Sequence, residues 1–584
     1  MKNLFHFLSF TLYLSALAQQ ELPVGWSIAE RESLGSKDGI TVFQAGSGIK
    51  TPPPFSSIRT AAEWEEIQAL TITWTSYTSI LREIVRNAVN ETNVIIVCSD
   101  SNTVKNYLIA GNVPLANVKY LIAPFNAIWI RDYGQNSVYD NQTGNLFLVD
   151  WQYNRPTRPK DDTVPSRIAS FLNLPLYETT VAPYNLIHTG GNFMCDGHGT
   201  GFSSQLTDQE NPSLSSTQID TIMKKFMGIN RYIRFPVLPY DGIHHIDMHM
   251  KLLDEQTLLV GEYPNGVSDG PQIEANLQYI LSNYNSVFGT PYKVIRIPMP
   301  PDKNGLYPIA GGAYTTYTNA VFVNKTVILP TYYAQYDTTA LRIWREALPG
   351  YNVVGIDCDN SGANIISQSG AIHCITHSVS SSDPLLITHQ PIENTCDSVN
   401  GYSVQAEIEH STGISFAKIW WTTDTSQGFN QSVNMNNTQA NTWNGTIPAQ
   451  ANNISVFYYI EATATNGKTR VKPLVAPSGF WKFNVSCMVT SNKAQEITNA
   501  FEFRNIFPNP ASSITCLPVF SNRQQSIQIR LFNPISQFSE TIFEGMMPAG
   551  EKNYFLHAEK YSAGIYFIEI KTEDGIYLKK VIIH

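Results

Sequence analysis

Between residues 60 and 384 the chain alternates two patterns. Stretches such as 60–90 carry apolar residues at helix-compatible spacing, while short apolar runs such as 94–97 and 353–356 read as strands. That alternation predicts a mixed α/β domain. From 385 to about 485 the period falls to two, in 404–408, 417–421 and 456–464, with Asn, Gly, Ser and Thr turns between. This predicts a β-sandwich of immunoglobulin-like type. A third, smaller all-β pattern follows Ile506-Phe507-Pro508-Asn509-Pro510-Ala511, with alternating runs at 526–531 and 564–568 and a final strand at 581–583.

The first residues break all of these patterns. Met1-Lys2 precedes an apolar run over 4–17, and Ala16-Leu17-Ala18 offers small residues for cleavage before Gln19. Residues 1–18 therefore read as a signal peptide. No other run of about 20 uninterrupted apolar residues occurs, so no transmembrane segment is expected. Residues 19–50 lack periodicity and lead into Pro52-Pro53-Pro54, as a propeptide or an N-terminal strap would. The expected division continues with an α/β domain at 51–384, the sandwich at 385–488, a linker at 489–502 and the terminal β-module at 503–584.

A length of 584 residues with 43% hydrophobic positions supports several cores. The net charge of −9 argues against nucleic acid as the partner, and its ordinary role is to solubilise the surface. Seven cysteines form no CxxC pair, and an odd number leaves at least one without an intramolecular partner. Cys374 is that thiol on this reading. Cys396 and Cys487 flank one β-rich segment, where a bridge and two unpaired thiols are both open.

The candidate chemistry lies in three widely separated segments: Trp129-Ile130-Arg131-Asp132, His245-Ile246-Asp247 and Gly370-Ala371-Ile372-His373-Cys374. Together they hold a thiol, an imidazole and two carboxylates, which suits hydrolysis of a guanidinium group. A guanidinium is flat, and two carboxylates can grip its edges by paired, charge-assisted hydrogen bonds. Asp132 and Asp247 are the candidates. Its central carbon resists attack, so the nucleophile should be a thiolate, Cys374. His245 would protonate the departing ammonia and then deprotonate water. Two acids disfavour a thiolate, so Cys374 is expected to ionise as a pair with His245 or on substrate binding.

These segments resemble the guanidine-modifying hydrolases, in the branch of agmatine deiminases and bacterial, Porphyromonas-type peptidylarginine deiminases. The shared motifs are W-x-R-D (129–132), Gly190-Gly191-Asn192, His245 to Asp247, Asn319 after an aromatic-rich strand, and G-x-x-H-C (370–374). They recur at intervals of about 55 to 75 residues, as repeated supersecondary units would place them. The resemblance implies a pseudo-fivefold α/β propeller of ββαβ units and a metal-free, cofactor-free deiminase. Trp129 would cover the arginine's aliphatic arm or sit in the core. Asn319 would touch substrate or orient the cysteine, and the glycines would allow a tight turn near the site. The terminal module resembles the sorting domain of the type IX secretion route, which implies that machinery as a partner and a secreted or bacterial outer-membrane location.

Export and one substitution separate the branches. Agmatine deiminases resemble cytosolic enzymes whose glycine pair follows a glutamate, whereas Thr189 stands here. The missing carboxylate suits arginine in a peptide or protein. Tyr153-Asn154-Arg155-Pro156-Thr157-Arg158-Pro159 resembles the segment with which the bacterial peptidylarginine deiminases hold a substrate's C-terminal carboxylate. Thr157 intervenes in the family's arrangement, which makes Arg155 the better match and Arg158 the less direct one. Two rival readings stand beside this one. His244, His245, Asp247 and His249 have the composition of a metal site, but the alternation of Ile246, Met248 and Met250 suits a strand and no HExxH glutamate is present. A silent surface adhesin would need no such intact set of acids, histidine and thiol.

Overall fold

The computed structural model describes residues 22–35, 47–486, 501–504, 506–511, 514–533, 538–573 and 575–583. The expected signal peptide, Cys487 and residues 489–500 of the expected linker lie outside them.

Five sheets in the first part share one plan. Each has a short strand antiparallel to a central strand, then a helix that returns the chain to a third strand parallel to the central one. The central strands are Ile67–Thr73, Leu146–Tyr153, Thr200–Ser204, Thr257–Glu262 and Thr326–Thr331. Parallel pairing requires such a crossover. The helices are Thr78–Ala88, Val164–Leu172, Ser216–Met227, Gly270–Asn283 and Ala334–Ala347. In the first sheet the antiparallel partner of Ile67–Thr73 is His377–Ser380, so the end of this part closes on its beginning.

Helix Ser216–Met227 illustrates the local cause. Ser215 and Gln218 cap each other's backbone N–H, Gly228 ends the helix in the left-handed region, and Ile219, Ile222, Met223 and Phe226 bury one face. The reading of 60–90 as one helical stretch is corrected. Ile67–Thr73 is a strand flanked by two others, and the helix begins only at Thr78. Leu70, Thr71, Ile72 and Thr73 are buried on both faces, so tertiary pairing overrides the helix-compatible spacing. The strand reading of 244–250 is also corrected, since Ile246–Met248 is a 3-10 turn and strand starts at Met250.

Eight antiparallel strands follow between Leu386 and Val485. Strand Gln431–Gln439 joins their two layers, pairing with Ile414–Thr422 through its first half and with Thr442–Ile447 through its second. Val404, Ile419, Ile447, Val456, Tyr458 and Phe483 are fully buried between the layers. Lys472 Nζ donates to Glu255 Oε1 at 2.7 Å, and Lys468 and Arg470 pair with Glu66, tying these strands to the α/β part. The chain divides into two units after Cys487. The second unit is all-β: a three-stranded sheet and a four-stranded sheet enclose Leu517, Ile529, Ile568, Ile570 and Val581.

Candidate active site

The motif segments take equivalent places in the five sheets. Helix Ile130–Tyr133 precedes strand Asn136–Asp140, and turn Gly190–Asn192 precedes Met194–Cys195. Turn Ile246–Met248 precedes Met250–Leu252, Asn319 precedes Val321–Val323, and Cys374 precedes His377–Ser380. One structural position, repeated, brings residues from across some 240 positions into contact.

On one side stand Asp132 and His245. Asp132 Oδ1 accepts the Gly191 N–H at 3.3 Å and lies 3.5 Å from His245 Nδ1. His245 Nε2 bonds Thr189 Oγ1 at 3.1 Å, while Nδ1 has no hydrogen-bond partner. Gly191 backs this group. A Cβ there would come within 2.5 Å of His245 Nδ1, 2.9 Å of Asp132 Oδ1 and 3.3 Å of Asp247 Oδ2. The missing side chain leaves room where the three groups converge. Gly190–Asn192 is a tight 3-10 turn in which neither glycine has a positive φ, and close approach is what both provide.

On the other side is Cys374. Its Sγ accepts from Asn319 Nδ2 at 3.2 Å and lies 3.8 Å from Asp247 Oδ2. Asn319 Oδ1 also accepts the His373 N–H at 2.9 Å. Asn319 therefore fixes the cysteine segment and its sulfur. Asp247 Oδ2 bonds His373 Nδ1 at 2.7 Å, leaving Oδ1 buried and unpaired. The supporting Asn192 accepts the Ser204 N–H at 2.9 Å.

Asp247 is held in place by residues outside the motif pattern's catalytic set. His373 Nε2 bonds Glu63 Oε1 at 2.6 Å, so both ring nitrogens face carboxylates. Glu63 also pairs with Arg131 Nη1 at 2.9 Å and with Lys251. Burial works against its charge, yet His373, Lys251 and Arg131 hold the Glu63 carboxyl well below the usual range. His373 was visible within G-x-x-H-C, but Glu63 carried no local signal.

All four candidate catalytic side chains are buried. Burial first, then Asp247, raises Asp132 to about 7. Burial lowers His245 to about 3. Burial, then Asp247 and Asp132, raises the Cys374 thiol well above its ordinary value. Without a cation in the site, sulfur and imidazole are thus both neutral. Alkylation of Cys374 by a small reagent should therefore rise only in strongly alkaline buffer, and free guanidinium ion should move the profile to lower pH. A thiol titrating at its ordinary value, unmoved by guanidinium or by replacing His245, would contradict this electrostatic account.

Trp129, Arg155 and Arg158 meet residues 22–30 rather than the acids. Trp129 Nε1 donates to Leu22 O at 2.6 Å. Arg155 donates to Val24 O at 3.2 Å from Nε and 3.1 Å from Nη2, and its guanidinium lies over the Trp26 ring. Arg158 grips Glu30, with Nε to Oε1 at 2.7 Å and Nη2 to Oε2 at 2.9 Å. It is Arg158, not Arg155, that holds a carboxylate here. For the histidine cluster, no group of three or more His, Cys, Asp or Glu among the described residues is arranged to hold a metal ion.

The family described as Porphyromonas-type peptidyl-arginine deiminase matches residues 59–379, more than half of the chain. The chain belongs to this family. This peptidyl-arginine deiminase family member also carries, at residues 505–584, a match to the secretion system C-terminal sorting domain of the type IX route, which assigns it to the secreted or outer-membrane surface fraction. No helix among the described residues is long and apolar enough to cross a membrane. A Vibrio parahaemolyticus protein named "putative agmatine deiminase" is 26% identical over 294 residues, covering 45% of this chain and 78% of that one. A Legionella pneumophila protein of the same name is 26% identical over 275 residues, covering 44% and 75%. A crystal structure titled as a "putative agmatine deiminase" superposes with a TM-score of 0.50 at 20% identity, covering 57% of this chain and 99% of its own, which shows a shared fold. The family member is thus a deiminase-type hydrolase with an export signal at its C-terminus.

Proposed function

We propose that this protein is an exported peptidylarginine deiminase, which converts arginine at the C-terminus of peptides and proteins to citrulline and ammonia. The observation that carries the reading is the meeting of Cys374 Sγ, Asp247, Asp132 and His245 around the space in front of Gly191. The unpaired Asp247 Oδ1 and the Asp132 carboxylate would take the guanidinium N–H groups. The arriving cation offsets the two negative charges that oppose a thiolate, and the Cys374 proton passes to His245.

The sulfur then attacks the guanidinium carbon, forming an S–C bond. The C–N bond to one terminal nitrogen breaks as His245 returns the proton, and ammonia leaves. Water attacks the covalent thiouronium while His245 takes its proton. The S–C bond breaks, giving citrulline and restoring the thiolate. The net change adds water and releases ammonia.

Peptide arginine is favoured over agmatine by Thr189, an uncharged neighbour of His245 with no carboxylate for a distal amine. Arg158 favours a terminal carboxylate, because its fork already suits one, and donors facing an internal arginine would be left unpaired. The names of the curated relatives favour the second reading, hydrolysis of a small guanidine such as agmatine. We read the five equivalent motif positions as a pseudo-fivefold propeller over 51–384, 385–488 as an immunoglobulin-like domain, and 503–584 as the sorting domain.

A citrulline assay separates these readings. Peptides ending in arginine are expected to be turned over with a kcat/KM about a hundredfold or more above matched peptides with internal arginine, with agmatine poorest. Arg158→Ala should raise KM for the C-terminal substrate and leave kcat less changed. Equal turnover of both peptides removes the carboxylate preference, and agmatine as the best substrate removes the peptide reading.

A further inference from the structure

Among residues 22–32 only Val24 and Glu30 are buried, and these two meet the site described above. Val24 N–H donates to Gln368 O at 3.2 Å, which aligns the segment beside the Gly370 turn. At Gly370 a Cβ would come within 2.7 Å of Val24 Cγ2 and 3.2 Å of Cys374 Cβ, so the valine and the cysteine side chain both border this glycine. Leu22, Val24 and Gly25 give their carbonyl oxygens to Trp129, Arg155 and Arg158 respectively. Ser27 and Glu30 cap each other, presenting the Glu30 carboxylate to Arg158 and to the Thr157 hydroxyl at 2.7 Å. Glu30 lies in the first turn of the short helix Ile28–Gly35, whose Ile28 is 78% exposed.

This segment is fastened by a polar clasp at the substrate-binding face more than by a core of its own. Burial opposes the charge on Glu30, yet Arg158 carries its carboxyl down to about 2. A fixed structural strand would bury apolar side chains along its length. Here one buried valine, one paired carboxylate and backbone carbonyls make the attachment, which suits a ligand that leaves.

We propose that residues 22–30 are a built-in peptide ligand that closes this site, with Glu30 taking the place of a substrate carboxylate on Arg158 and Val24 covering the approach to Cys374. The chain is then held latent until the segment is displaced or removed. The proposal rests on the deiminase reading only for its consequence on turnover, because closure itself is read by thiol access.

The test uses the full chain and two separate variants in the segment, Glu30→Gln and Trp26→Ala, neither within the catalytic set. Glu30→Gln removes the charge that Arg158 grips and Trp26→Ala the ring under Arg155, losses of the kind that shift an equilibrium about tenfold. Cys374 alkylation by iodoacetamide, followed by peptide mapping at one alkaline pH, is expected to quicken about tenfold in each variant. A synthetic peptide of residues 22–35 should slow it again, and the same peptide with Glu30→Gln should not. Citrulline release from an arginine-ending peptide should rise in parallel. Alkylation as fast in the unchanged chain as in both variants overturns the proposal, as does a chain already turning over substrate at the variants' rate. Faster alkylation with no citrulline from any substrate supports closure and sinks the deiminase reading instead.

Discussion

Cys374→Ala is expected to abolish citrulline formation, with kcat falling on the order of ten-thousandfold or more and the fold retained. No other thiol can stand in: of the described cysteines, only Cys374 lies beside Asp247, with Asn319 holding its sulfur at 3.2 Å. The loss would fall on kcat, because the bond that sulfur makes exists only after the ground state. The substitution trades a buried thiol for a methyl, so unfolding should shift by about 1 kcal/mol and leave a binding-competent protein. Binding of an arginine-ending peptide by calorimetry, with and without the variant, checks that the acids still grip the cation. A chain that retains citrulline formation without this thiol would end the covalent route.

The second large effect is expected at Gly191. Gly191→Ala sets a methyl 2.5 Å from His245 Nδ1 and 2.9 Å from Asp132 Oδ1, closer than real Cβ contacts allow. His245 is held from behind by Thr189, and Asp132 by the Gly191 N–H, so a shift of either loses a contact. A displacement of this size costs on the order of a hundredfold in kcat/KM. The neighbouring Gly190→Ala is the contrast. Its Cβ would meet the Arg131 carbonyl oxygen at 2.0 Å, a backbone collision that should lower the unfolding temperature first. Citrulline kinetics beside thermal unfolding of the two variants tells them apart. Equal loss of stability with equal activity would mean that Gly191 merely permits the turn.

Chemistry and domain organisation were legible to different depths. The changes of period near 385 and after 500 correspond to the start of the antiparallel strands at Leu386 and of the terminal unit's strands at Phe501. Those elements are local, and period two survives in them because one face is buried. The stretch 60–90 misled for the opposite reason, since Ile67–Thr73 is buried on both faces and keeps no alternation. Arg155 and Arg158 were legible as donors suited to a carboxylate, but the pairing of Arg158 with a carboxylate of this chain was not. That depends on Glu30, 128 residues upstream of Arg158.

The amino-acid order alone determined which functional groups exist, their order along the chain, and that they recur at a near-constant interval: thiol, imidazole, two acids and a glycine pair. Those are properties of residue type and position, readable without distance. Only the tertiary structure decided that Glu63 and His373 brace Asp247, that Gly191 serves by its missing side chain, and that residues 22–30 meet Trp129, Arg155 and Arg158. Each of these is a contact between parts of the chain far apart in sequence. Such contacts come from the packing of sheets against one another, and no local pattern encodes them.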